Sequence, residues 1–188
     1  RRRLVMALLG VRSGAPRVLD IGSGQGEMAA EVRRRLPGAT VVGVELSHSG
    51  CEVARRRVPD ATFIEWDLLA GKPPPDDLRG WATNAICSEV LEHVDEPWVL
   101  LQNARGFLAP GCRLVVTVPG GPMSAFDHHI GHRRHYNRSA LRHLLERSGF
   151  HVDGVLAAGF PFHNLYRLAV VARGGRLIED ASAESKTA

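Results

Sequence analysis

No apolar run in this sequence is long enough to cross a bilayer; the longest, such as Leu114–Val118, have the length of buried strands. A helical membrane span is therefore not expected. Cysteine is scarce. Cys51, Cys87 and Cys112 are odd in number and widely spaced, and they form no metal or redox motif. A disulfide scaffold is excluded, and a reducing cytoplasm is the expected compartment. There is no internal repeat, no basic tail and no basic strand interleaved with aromatics. The net charge of +4 comes largely from arginines on expected helices, at Arg33–Arg35, Arg55–Arg57 and Arg133–Arg134. Such runs usually form solvated faces, so nucleic acid is not the expected partner. The sequence opens on Arg1 rather than Met and carries no information on a targeting signal. It declares no oligomeric state.

What is present is a chain of 188 residues, 44% hydrophobic and 23% charged, enough for one domain with a sizeable core. Short, continuously apolar segments alternate with amphipathic ones. Strands are expected at 17–21, 40–46, 61–64, 82–88 and 113–118. A leading helical segment occupies residues 1–14. Met28, Val32 and Leu36 mark a helix stopped by Pro37-Gly38. Ser47 or Ser49 caps the next, which runs through Val53 and Ala54. A third runs from Pro97 to Leu108 and ends at Pro110-Gly111. Asn137 caps a fourth, with the face Leu141, Leu144 and Leu145 and a stop at Gly149. This order predicts an α/β fold: a doubly wound, mostly parallel sheet in three α/β/α layers with right-handed crossovers. Residues 151–158 read as a sixth strand. Tyr166–Ala172 reads as a seventh, or as part of a helix from His163. Lys72–Asp77 reads as a loop insertion. The domain is expected to span 15–175, with a disordered tail at 176–188.

Three features fall after successive strands, where such folds bind ligands. The first is Asp20-Ile21-Gly22-Ser23-Gly24-Gln25-Gly26. Its glycines let the backbone turn sharply and approach a ligand. The spacing is G-x-G-x-G, not the G-x-G-x-x-G of dinucleotide binders. The acid before it suits a cationic or amino-bearing ligand better than a pyrophosphate. The second is Glu45, with Leu46 beside it; a carboxylate there can accept two hydrogen bonds from a ribose diol. The third is Asp67 with Leu68, placed to meet an adenine, where Trp66 or Leu68 can pack on the ring.

Together these features resemble the class I S-adenosylmethionine (SAM)-dependent methyltransferases over roughly residues 15–160. The matching stretches are Val18–Gly26, Val41–Leu46, Phe63–Leu69, Ala85–Val94 and Leu108–Pro119. The resemblance implies SAM as cofactor. It implies that Asp20, Gly22, Ser23, Gly24 and Gly26 line the methionine moiety, that Glu45 and Leu46 meet the ribose, and that Asp67 and Leu68 meet the adenine. Ser88 and Glu89 would face the methionine and the transferring methyl.

Methyl transfer from a sulfonium is an in-line displacement, so the protein supplies alignment, desolvation and sometimes a base. Two segments carry candidates: Glu89-Val90-Leu91-Glu92-His93-Val94, and Asp127–Tyr136, which holds four of the nine histidines. Three readings stand side by side. Glu92-His93 opens a helix and packs. Or His93, His128, His132 and Tyr136 form a polar cap over an acceptor, with a histidine as base and Arg133 or Arg134 pairing an acceptor anion. Or Glu89, Glu92, His93 and a later histidine hold a divalent metal, a pattern that resembles small-RNA 3′-terminal and ubiquinone-biosynthesis methyltransferases. The expectation adopted is the second: catalytic candidates His93, His128, His132 and Tyr136, no metal ligand, and methylation of an oxygen or nitrogen on a small-molecule acceptor. Metal-assisted 2′-O-methylation of a nucleic-acid end, and a module that binds SAM or a nucleoside without chemistry, are the alternatives.

Overall fold

The computed structural model describes residues 1–11 and 14–158. The element order is α1 (Arg2–Leu9), β1 (Arg17–Ile21), α2 (Glu27–Arg35), β2 (Thr40–Glu45), α3 (His48–Arg57), β3 (Thr62–Glu65), β4 (Ala82–Ser88), α4 (Pro97–Ala104), β5 (Leu108–Thr117), α5 (Ala125–His129) and α6 (Arg138–Arg147). The strands form one parallel sheet in the order β3-β2-β1-β4-β5.

Alternation along the strands divides the core. Val18, Val41, Phe63, Ile86 and Val115 point to one face and are covered by Val5, Leu9, Met28, Val32, Cys51 and Ala54 of α1, α2 and α3. Leu19, Ile21, Val42, Val44, Ala85 and Cys87 point the other way, onto Leu100, Leu101 and Ala104 of α4 and Leu141, Leu144 and Leu145 of α6. The result is the expected three-layer α/β/α fold. From β1 the chain runs outward through β2 to β3, then crosses back to β4 on the other side of β1, and this reversal opens a crevice at the carboxyl ends of β1 and β4.

Local chemistry sets the helix ends. Ser47 Oγ accepts from the Gly50 N–H and caps α3; Asn137 Oδ1 accepts from the Ala140 N–H at 2.8 Å and caps α6.

Two expectations are corrected. The third helix ends at Ala104, passes into a 3₁₀ turn at Arg105–Phe107, and β5 begins at Leu108. Pro110 and Gly111 do not stop a helix. They sit in a bulge, because the ladder steps from Ala82↔Leu108 to Asn84↔Arg113. Residues 151–158 form no strand. Val152 and Val155 both pack against the core; an interval of three would place them on opposite faces of a strand. The Tyr166–Ala172 segment, the boundary at 175 and the tail lie outside the described residues. Among the described residues no helix is long and apolar enough to cross a membrane.

Candidate functional site

The glycine turn closes on β2. The N–H groups of Gly22 and Ser23 donate to the Val44 carbonyl at 2.8 and 3.0 Å, and Gly24, at φ 51°, donates to Glu45 Oε2 at 2.8 Å. Glu45 Oε1 accepts from the Ser47 N–H at 2.8 Å. A cleft of roughly 280 Å³ opens there, lined by Asp20, Gly22–Gly24, Ser88, Glu89 and Arg1, among others. A Cβ on Gly24 would meet nothing within 4 Å, while one on Gly22 would lie 2.6 Å from Val90 Cγ2. Two polar atoms here are buried without a partner: Asp20 Oδ2 and Ser23 Oγ. Burial pushes the Asp20 carboxyl up to about 7, aided by the Glu45 charge and opposed by a bond from the Ala29 N–H. A buried carboxyl with one oxygen unsatisfied, beside a glycine cradle, suits a ligand that brings positive charge or donors. The residues present therefore fit the methionine end of SAM.

On the adenine side the predicted residues part company. Asp67 is exposed, and its Oδ1 accepts from the Leu69 N–H at 2.7 Å. Leu46 is 63% exposed. Leu68 turns into the core, and its carbonyl accepts from Asn103 Nδ2 at 2.7 Å. Its side chain is thus not available to stack on a ring. Trp66 is half-buried against Phe107, with a buried Nε1 that has no partner.

At the end of β4, Ser88 Oγ and Thr117 Oγ1 are 2.9 Å apart, and Thr117 Oγ1 donates to Glu89 Oε1 at 3.0 Å. Glu89 Oε2 pairs with Arg1 at 2.7 Å. Glu89 is the one non-glycine with positive φ (57°) among the described residues. That conformation costs energy and is held by its partners, as at many functional turns. Thr117 is absent from the sequence-based candidates. Its signal lies in the parallel register that sets it beside Ser88.

The two histidine segments meet. His93 and His132 stack edge-to-face with centroids 4.7 Å apart. His93 Nδ1 lies 3.2 Å from the Gly131 carbonyl and so donates to it, which leaves Nε2 as the acceptor nitrogen. Glu92 is fully buried and neither carboxylate oxygen has a partner; burial raises its carboxyl to about 7. Burial lowers His132, and His93 and His135 add to that. His128 is exposed on α5 and does not join this group. Tyr136 is buried, its hydroxyl donating to the Leu91 carbonyl at 3.1 Å. Arg133 bonds the His93 carbonyl at 2.8 Å and Asp95 at 2.6 Å, and Arg134 bonds the Asp95 carbonyl at 2.9 Å. Both arginines tie the segments together. Asp127 and His135 were not among the predicted site residues, yet both stand against His132. The capping spacing of Ser124 and Asp127 is the local signal that orients this acid.

The parallel sheet, the glycine turn after β1 and the acid closing β2 are the architecture of a class I methyltransferase domain. The chain belongs to the methyltransferase domain family, matched over residues 2–155. It is 32% identical over 108 residues to a trans-aconitate 2-methyltransferase of Paracidovorax citrulli, covering 57% of this chain and 40% of the relative. It is 34% identical over 131 residues to a demethylmenaquinone methyltransferase of Thermus thermophilus, covering 67% and 57%. The chain thus spans about two fifths to three fifths of these relatives' length. In fold it is similar to geranyl diphosphate C-methyltransferase of Streptomyces coelicolor, solved with S-adenosyl-L-homocysteine: TM-score 0.62, 24% identity, 77% of this chain and 55% of that one.

Proposed function

We propose that this chain transfers a methyl group from SAM to an oxygen or nitrogen of a small metabolite, with His93 as the base. The observation that carries this reading is the cleft in which the unpartnered Asp20 Oδ2 and the glycine turn face Glu89. Asp20 and Ser23 would receive the donors of the methionine end. Glu45, already fixed by two backbone N–H groups, keeps lone pairs for the ribose hydroxyls, with Leu46 beside it. Asp67 and the backbone at Leu68 would meet the adenine. Ser88 and Glu89 form the wall next to the reacting carbon. The cofactor supplies a methyl carbon already activated by its sulfonium. His93 Nε2 takes the acceptor's proton as the acceptor atom attacks, and His132 keeps the ring in place by edge contact.

The named relatives act on small molecules, which supports an acceptor of that class. The basic runs support it too. Arg33 bonds Asp60, Arg34 and Arg35 bond Glu31, and Arg55 and Arg57 bond the Phe63 and Gln25 carbonyls. These arginines bond within the fold, which supports reading the runs as solvated helix faces. Cys51 and Cys87 are buried free thiols, consistent with a reducing cytoplasm.

Calorimetric titration with S-adenosylhomocysteine, followed by labelled methyl transfer to a panel of small hydroxy, carboxy and amino compounds, tests the proposal. Saturable binding and transfer to at least one acceptor are expected. No binding at near-millimolar ligand would overturn it.

A further inference from the structure

Asp127, His132 and His135 bring three ligand-type atoms to one point. His132 Nδ1 and His135 Nε2 are 3.0 Å apart. Asp127 Oδ1 is 3.8 Å from the first and 3.7 Å from the second. A point in the plane of these atoms lies about 2.0 Å from all three, which is the length of a zinc–imidazole or zinc–carboxylate bond.

Two of the three groups are also held from behind. His135 Nδ1 is 3.1 Å from the Gly121 carbonyl, so it carries the proton and Nε2 carries the lone pair. Asp127 Oδ2 accepts from the Ser124 N–H and hydroxyl, each at 2.7 Å, which turns Oδ1 toward the imidazoles. Glu92 lies within 4.8 Å of a ring nitrogen of His132 and has no hydrogen-bond partner of its own. The side chains of Asp127, His132 and His135 are 15%, 11% and 3% exposed, so the cluster is sheltered but reachable.

The geometry points to a binding site for one divalent transition-metal ion of the zinc class at Asp127, His132 and His135. Two imidazoles and one carboxylate suit such an ion better than calcium or magnesium. The ligand set differs from the metal reading of the sequence, since Glu89 is engaged by Arg1 and Thr117. Three protein ligands leave at least one position open. An acceptor oxygen bound there would lose its proton more readily, and His93 beside it would receive that proton. This last step rests on the methyl-transfer reading; the ion site does not.

Titration of the chelator-dialysed full chain with Co²⁺ is the test, read by visible d–d absorption and by calorimetry. One Co²⁺ per chain is expected, displaced by Zn²⁺. His135→Ala and Asp127→Asn should each weaken binding by about 100-fold or more, and the exposed His129→Ala should leave it unchanged. S-adenosylhomocysteine affinity, unchanged in each variant, shows that the fold is intact. Absence of saturable Co²⁺ binding to the wild-type chain overturns the site, as does equal binding by a folded His135→Ala or Asp127→Asn. Intact Co²⁺ binding without methyl transfer would overturn the activity reading and leave the site standing.

Discussion

The carboxylate of Glu45 accepts a 2.8 Å hydrogen bond from the backbone N–H of Gly24, and so joins the end of β2 to the turn after β1. The second oxygen accepts from Ser47 at the start of α3. One side chain therefore orients the turn, the helix entry and itself. Glu45→Gln offers an amide where one of these N–H groups needs an acceptor. S-adenosylhomocysteine affinity should fall by about 10- to 100-fold, or about 1.4–2.7 kcal/mol. Calorimetric titration checks this; a change under about threefold would contradict the assignment.

Gly22 is the turn position with least room. Its φ is 66°, and a Cβ would lie 2.6 Å from Val90 Cγ2. Gly22→Ala should destabilise the fold by about 2–4 kcal/mol, the sum of a left-handed backbone cost and overpacking. Adding Val90→Ala should recover the overpacking part only. Denaturant midpoints of the two variants separate the contributions.

Asp20 carries a pH signature. Its carboxyl rises from 3.8 to about 7 on folding, chiefly through burial. The folded state then holds the proton more tightly than the unfolded chain. Its contribution to stability is full below about pH 4 and is lost as pH rises to about 7. Without ligand, Asp20→Asn should therefore gain stability relative to wild type on going from pH 4 to pH 8, by up to about 4 kcal/mol. The same variant should bind S-adenosylhomocysteine less well. Melting curves at the two pH values decide; a stability difference independent of pH would contradict the buried, uncompensated acid.

The turn and cleft after β1 were legible because short-range chemistry writes them. A strand ending in Asp20, three spaced glycines and an acid closing the next strand are local signals, and β1 and β4 coincide with their expected ranges. The burial of Leu68 was not, because its direction depends on how the turn after β3 packs against Asn103 of α4. The cluster at His132 was hidden for a similar reason. Asp127 and His135 are eight residues apart, and a non-helical stretch between α5 and α6 folds back to bring them together. The false strand at 151–158 arose from hydrophobic content read without its spacing.

Tyr136 is proposed to hold the turn that carries Glu92 and His93 rather than to touch the acceptor. Its hydroxyl donates to the Leu91 carbonyl, fixing the 3₁₀ turn Leu91–His93, and burial pushes its phenol up to about 12. Tyr136→Phe leaves that buried carbonyl short of a donor. Stability should fall by about 1–2 kcal/mol, with kcat within about threefold of wild type. A drop of 100-fold in kcat with stability unchanged would return Tyr136 to the reacting centre.

His93 makes the opposite case. Its Nδ1 is occupied by the Gly131 carbonyl, its ring is exposed, and it contributes nothing to either core cluster. His93→Gln keeps a hydrogen-bond donor for Gly131 but cannot take a proton from the acceptor. Stability should change by less than about 0.5 kcal/mol, since surface substitutions of this kind rarely cost more. S-adenosylhomocysteine affinity should be unchanged, because the cleft lining does not include His93. Turnover should fall by about 10²- to 10⁴-fold, the usual contribution of a positioned base. Single-turnover transfer of labelled methyl, measured with cofactor affinity in the same preparation, distinguishes a lost base from a lost fold. If turnover survives intact, the acceptor atom needs no proton removed by this side chain, and the base must be sought elsewhere or is not required.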